Sequence, residues 1–104
     1  MGVDERTAVP VVFSVIVPLR DEGPNLRSLH AEIADALEGS GTAWEIVYVD
    51  DGSTDEGPGV LRELALADPR VRLVTLARNY GQSTALVAGA EAARGEWIGT
   101  LDAD

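Results

Sequence analysis

Residues 11–18 read Val-Val-Phe-Ser-Val-Ile-Val-Pro, a nearly unbroken apolar run rich in β-branched side chains. Apolar residues in succession, rather than in alternation, are what a strand buried on both faces requires. A breaker cluster, Asp21 to Asn25, follows, and beyond it Leu26, Leu29, Ile33 and Leu37 recur at the spacing of one helix face. Gly39 to Gly41 ends that helix. The pattern then repeats. Trp44 to Val49 (WEIVYV) predicts a second strand, stopping at Asp50-Asp51-Gly52-Ser53. Ser53 with Glu56 predicts a capping box, and Pro58 suits the first turn of a helix striped by Leu61, Leu64 and Ala65. Asp68-Pro69 closes it before a third strand, Val71 to Leu76. The Ala- and Gly-rich stretch from Gly81 to Ala93 predicts a helix whose small face packs close to a sheet. Gly95 ends it, Trp97 to Leu101 predicts a fourth strand, and Asp102-Ala103-Asp104 follows.

Four strands alternating with three helices predict βαβ units, and so a mostly parallel four-stranded sheet flanked by helices. In such α/β sheets ligands bind in the crevice at the carboxyl ends of the strands. Three polar clusters, Arg20-Asp21-Glu22, Asp50-Asp51-Gly52-Ser53 and Asp102-Ala103-Asp104, would all lie along that edge. Residues 1–10 are read as a flexible N-terminal tail and residues 11–104 as one domain. Met1 to Ala8 is polar, with no apolar signal core, which suggests a cytoplasmic location.

Composition narrows the chemistry. The 104 residues contain no cysteine and no lysine, and His30 is the only histidine. That excludes disulfides, thiolate nucleophiles, Schiff-base lysines, a Walker P-loop and a His-His metal site. A net charge of −10 opposes binding to nucleic acid or to an anionic membrane surface. An acidic protein with an anionic ligand needs local positive charge, which a divalent cation supplies. His30 is read as a partly solvated surface histidine, and Trp44 and Trp97 as packing residues.

Two carboxylates at i and i+2, Asp102 and Asp104, can face one hard cation such as Mg²⁺ or Mn²⁺ bridging a diphosphate. The same pair can serve as a turn or a helix cap, and with nine aspartates in the chain an Asp-x-Asp match arises about once by chance. Asp50 and Asp51 can accept hydrogen bonds from a base or a ribose, or simply cap a turn. Pro18 to Glu22 is either a turn or a loop around a base, with Arg20 able to stack on a ring or meet a phosphate. Arg78, Asn79 and Gln82 stand where the third helix opens. There they can meet phosphates or cap the helix.

Taken in order, Ser14-Val15-Ile16-Val17-Pro18, Glu22, Val49-Asp50-Asp51-Gly52-Ser53-Thr54-Asp55, Arg78-Asn79-Tyr80-Gly81-Gln82, Ala92-Ala93-Arg94-Gly95-Glu96 and Thr100-Leu101-Asp102-Ala103-Asp104 resemble family-2 glycosyltransferases of the GT-A fold. The resemblance covers residues 13–104. It implies the Rossmann-like nucleotide-binding half of such an enzyme and an inverting hexosyl transfer from a UDP- or GDP-sugar. Pro18, Leu19, Arg20 and Glu22 would match the loop around the nucleotide. Val49, Asp50 and Asp51 would match its base and ribose contacts. Gln82 and Ala103 would join the nucleotide-sugar site, and Asp102 and Asp104 would hold Mg²⁺ or Mn²⁺ with the donor's phosphates.

Arg78-Asn79-Tyr80-Gly81-Gln82 is similar to the polyprenyl-phosphate branch, which implies a lipid-phosphate acceptor at the cytoplasmic membrane face. Where the family commonly has Tyr-Asn-Glu, this chain has Arg20-Asp21-Glu22, so a guanidinium replaces the aromatic ring. The resemblance also places the acceptor half and the general base beyond Asp104. The chain is therefore expected to be a truncated donor half that binds donor weakly or not at all, does not turn over alone, and self-associates through an exposed edge.

Other readings fit less well. A response-regulator receiver needs its acidic pair after the first strand and a lysine later. An NAD-binding Rossmann half needs Gly-x-Gly-x-x-Gly where residues 18–25 read PLRDEGPN. The alternative that stays open is a non-catalytic remnant that binds a nucleotide or a partner.

Overall fold

A computed structural model describes residues 3–4 and 9–103; Asp104 lies outside the described residues. The elements are β1 (Val3–Asp4), β2 (Val9–Pro10), β3 (Phe13–Leu19), α1 (Gly23–Glu38), β4 (Trp44–Asp50), α2 (Gly57–Ala67), β5 (Val71–Thr75), α3 (Gln82–Ala92) and β6 (Trp97–Thr100). Where the sequence suggests a loose tail, β1 and β2 pair antiparallel. The other four strands form one sheet in the order β5-β4-β3-β6. All three pairings within it are parallel.

Side chains of β3 and β4 alternate between two cores, because successive strand residues face opposite sides. Val15, Val17 and Leu19 of β3, with Ile46 and Tyr48 of β4, pack against Leu26 and Ile33 of α1 and Val60 and Leu61 of α2. On the opposite face Ile16, Val47 and Val49 meet Ala85 of α3. Both faces of the sheet are thus covered, which accounts for the unbroken apolar runs. The small face expected of α3 is present: a Cβ on Gly89 would lie 2.4 Å from Ile16 Cγ2 and 3.0 Å from Val49 Cγ2.

Pro18 lies inside β3 without costing a ladder bond. The carbonyls of Val12 and Ile16 accept from Trp97 and Leu101, on the β6 side, whereas the carbonyl of Leu19 accepts from Asp51, on the β4 side. Pro18 belongs to the Val12–Ile16 series, so its missing N–H would point towards β6. Pairing between β3 and β6 has already ended at Ile16↔Thr100. The two strands part where the proline stands.

Three sequence expectations need correction. His30 is not a surface residue, because it lies four residues after Leu26 on the buried stripe of α1. Its Nδ1 is 2.8 Å from the Tyr48 hydroxyl and its Nε2 3.2 Å from Asp68 Oδ2. Burial, reinforced by the Asp68 charge, pushes the Tyr48 phenol well above its usual range. Trp44 is buried beneath the Arg70 guanidinium, but Trp97 is 66% exposed because β6 is an edge strand. Finally, Ser53 does not cap α2. Its hydroxyl accepts the Asp21 N–H, and it is Asp55 Oδ1 that takes the Gly57 N–H at the start of the helix.

At the amino ends of the strands, Glu45 is fully buried and fully engaged. Its carboxylate accepts from the Ser14 hydroxyl (2.6 Å), the Arg94 N–H (2.7 Å) and the Arg94 guanidinium (2.8 and 3.0 Å). Ser14 Oγ in turn accepts the Gly95 N–H. A buried carboxylate is tolerated only when paired and hydrogen-bonded in this way. No helix of the described residues is long and apolar enough to cross a membrane.

Candidate nucleotide site at the carboxyl edge of the sheet

The parting of β3 from β6 opens a cleft of about 280 Å³ lined by Pro18, Leu19, Arg20, Glu22, Asp51, Gln82, Ala85, Asp102 and Ala103. It lies at the carboxyl ends of the strands, where the chain order of the sheet reverses. Of the residues singled out in the sequence, Pro18, Leu19, Arg20, Glu22, Asp51, Gln82, Asp102 and Ala103 all line it. Ala85, on the first turn of α3, forms part of its wall and was not anticipated. Its only sequence signal is the small-residue composition of that helix.

Two other candidates stand apart from the cleft lining. Val49 is fully buried against α3, because its position in β4 faces the core. Asp50 is 2% exposed, and its Oδ1 accepts the Ser53 N–H at 2.9 Å, closing the turn after β4. Asp104, the second carboxylate of the Asp-x-Asp pair, lies outside the described residues. Arg78 is likewise not among the lining residues, and its guanidinium sits 4.9 Å from the centre of the Tyr80 ring.

Asp51 is the hinge between two motifs that are separate in sequence. Its Oδ1 accepts the Tyr80 N–H (2.7 Å) and its Oδ2 the Gly81 N–H (3.0 Å). Beside it, Gly52 takes φ 78°, and a Cβ there would lie 2.5 Å from the backbone N of Asn79. A side chain is thus excluded both by the backbone conformation and by contact. Asp50-Asp51-Gly52-Ser53 and Arg78-Asn79-Tyr80-Gly81-Gln82 form one unit, which delivers Gln82 to the cleft. There Gln82 Nε2 donates to Asp102 Oδ1 at 3.0 Å, so the carboxylate is held by one oxygen.

Among the described residues, no three His, Cys, Asp or Glu side chains converge as a metal cage. The carboxylates lining the cleft are Glu22, Asp51 and Asp102, and both Asp51 oxygens already accept backbone N–H groups. Few protein oxygens beside an open cleft suit a cation such as Mg²⁺ or Mn²⁺ that shares its shell with a ligand's phosphates.

Residues 14–104 match the family model described as glycosyl transferase family 2. The chain belongs to this family. Among curated relatives, it is 42% identical over 92 residues to an undecaprenyl-phosphate 4-deoxy-4-formamido-L-arabinose transferase of Edwardsiella ictaluri, covering 88% of this chain and 28% of that protein. Among solved structures, it is similar to a mannosyltransferase from Pyrobaculum calidifontis in complex with GDP-Man and Mn²⁺. There the TM-score is 0.75 at 30% identity, covering 88% of this chain and 27% of the other. S. aureus TarS 1-349 in complex with UDP-GlcNAc matches with TM-score 0.75 at 25% identity, over 90% of this chain and 27% of that one. The chain thus spans less than a third of the length of each of these proteins.

Replacing Asp51 with alanine would take the carboxylate acceptor from the Tyr80 N–H and leave the Gly81 N–H only Asn79 Oδ1 at 3.2 Å. The loss is on the scale of a hydrogen bond to a charged group, about 1.5–3 kcal/mol at most for these part-buried donors. Hydrogen exchange of those two amides is expected to accelerate about tenfold or more in Asp51→Ala. Unchanged protection would mean that Asp51 does not anchor this loop.

Proposed function

We propose that this chain is the donor-binding portion of an inverting glycosyltransferase that moves a sugar from a nucleoside diphosphate to a polyprenyl phosphate. The observation that carries this reading is the cleft at the parting of β3 and β6, with Arg20 and Asp102 both in its lining. In this reading Pro18, Leu19, Arg20 and Glu22 border the nucleotide. The exposed Arg20 guanidinium stacks on the base or meets a phosphate. Val49, Asp50 and Asp51 shape the base and ribose end, largely by holding their loop. Gln82 steadies Asp102.

Asp102 and Asp104 would hold Mg²⁺ or Mn²⁺ against the donor's phosphates. When bound, the cation offsets negative charge on the departing diphosphate as a Lewis acid. The complexes of the Pyrobaculum calidifontis mannosyltransferase and of TarS with nucleotide sugars support the donor class. The relative named for undecaprenyl phosphate supports the acceptor class, and with it a place at the cytoplasmic membrane face for the whole protein.

Isothermal titration of the purified chain with UDP and GDP, each with and without Mn²⁺, tests the reading. Weak, metal-dependent binding is expected, reduced about tenfold or more in Asp102→Ala, the scale of one lost charge-assisted contact. A folded sample that takes up neither nucleotide, or binding indifferent to Asp102, contradicts it.

Self-association of this chain belongs to the same proposal. Among the described residues the outer edge of β6 has no partner strand, and Trp97 and Ile98 of β6, with Leu101 just after it, are exposed. Sedimentation velocity should show a coefficient that rises with protein concentration and falls back in Trp97→Lys. A concentration-independent monomer contradicts the expectation.

A further inference from the structure

The loops that follow β3 and β4 are tied together by two carboxylates reaching in opposite directions. Asp21 Oδ1 accepts from the N–H groups of Thr54 (2.7 Å) and Asp55 (3.2 Å) and from the Thr54 hydroxyl (3.4 Å). The Asp21 N–H donates to Ser53 Oγ at 2.9 Å. Asp55 reaches back: its Oδ2 accepts the Gly23 N–H at 2.9 Å, while its Oδ1 accepts the Gly57 N–H at 2.8 Å. The turn bearing Arg20 and Glu22 is therefore held at Asp21 and Gly23 by Ser53, Thr54 and Asp55 of the loop between β4 and α2.

Neither carboxylate lines the cleft, whereas Arg20 and Glu22 both do. Asp21 takes φ 55°, the only positive φ at a non-glycine position among the described residues. That conformation is disfavoured for side chains generally and least so for Asn and Asp, whose short polar groups bond locally. It persists here because the surrounding hydrogen bonds over-determine it. The Thr54 N–H, first among these donors, holds the Asp21 carboxyl below its usual range despite its exposure.

We propose that Asp21 and Asp55 are positioning residues of the nucleotide cleft, fixing the Arg20–Glu22 turn in its binding geometry before a ligand arrives. The role rests on reading the cleft as a nucleotide site. An unpinned turn would have to be ordered at the moment of binding, and affinity would fall by that cost. Because the carboxylate acts as a hydrogen-bond acceptor through one oxygen, a neutral amide oxygen in its place keeps the same bonds in weaker form.

That distinction sets the test. Dissociation constants for UDP and GDP with Mn²⁺ are measured for the wild type and for Asp21→Ala, Asp21→Asn and Asp21→Gly. Circular dichroism shows that each sample is folded. Asp21→Asn keeps the acceptor and tolerates φ 55°, so its affinity should stay within about threefold of wild type. Asp21→Ala should weaken binding about tenfold or more. Asp21→Gly fits the backbone freely but lacks the acceptor, so it should bind as poorly as Asp21→Ala even if the alanine variant is unstable. Adding Arg20→Ala to Asp21→Gly should cost little more, because both changes remove the same ordered contact. Wild-type affinity in Asp21→Gly overturns the positioning role alone, as does Asp21→Asn binding as poorly as Asp21→Gly. A folded wild type that binds no nucleotide overturns the reading of the cleft and this role with it.

Discussion

Pairing between β3 and β6 stops at Ile16↔Thr100, and two residues later stands Pro18, which has no N–H to offer on that side. The cleft follows from that geometry. Beyond the last ladder bond, from Leu101 to the Ile16 carbonyl, the two chains diverge. Leu19, Arg20 and Glu22, which follow β3, and Asp102 and Ala103, which follow β6, line the cleft between them. On the opposite edge of β3 the ladder with β4 runs on to Leu19↔Asp50, so the strand itself stays anchored while one flank opens. A proline that would weaken a strand paired on both sides here marks the place where one partner leaves.

The loops around the opening are shaped by carboxylates that accept backbone N–H groups. Asp50 closes its own turn, Asp51 captures Tyr80 and Gly81, Asp21 captures Thr54 and Asp55, and Asp55 captures Gly23 and Gly57. Charged acceptors make stronger bonds than neutral ones, and each is aimed at a donor in a loop or at the first residue of a helix. The acidic composition therefore has a structural use at this edge, quite apart from cation binding. At the other end of the sheet, Glu45, Arg94 and Ser14 join β4, β3 and the connection into β6. That network holds β6 in register with β3 up to the point where the two separate.

Much of this was legible in the sequence because a parallel sheet writes its strands as unbroken apolar runs and puts its ligand loops after them. The four strands of the parallel sheet and the three helices lie where periodicity places them, the short β1–β2 pair does not, and eight of the residues expected at the site line one cleft. Family 2 membership agrees with the resemblance. What local pattern missed depends on long-range contacts. Ser53 and Glu56 have the spacing of a capping box, but Asp21, 32 residues earlier, claims the serine hydroxyl. His30 is buried because Tyr48 and Asp68 supply polar partners from two other elements. Trp97 is exposed because strand order, which no single segment encodes, leaves β6 at an edge. Glu45 gives no sign of its burial until Arg94, 49 residues on, folds against it.

The central claim is that a nucleoside diphosphate enters where β3 and β6 part. Backbone amide chemical shifts of the ¹⁵N-labelled chain, followed during addition of GDP or UDP with Mg²⁺, test it directly. The perturbed amides should cluster at Leu19 to Glu22, Asp51, Gly81-Gln82 and Asp102-Ala103, with the Glu45–Arg94 end of the sheet unaffected. Shifts centred on the α1–α2 face around His30, or spread evenly over the chain, would contradict it.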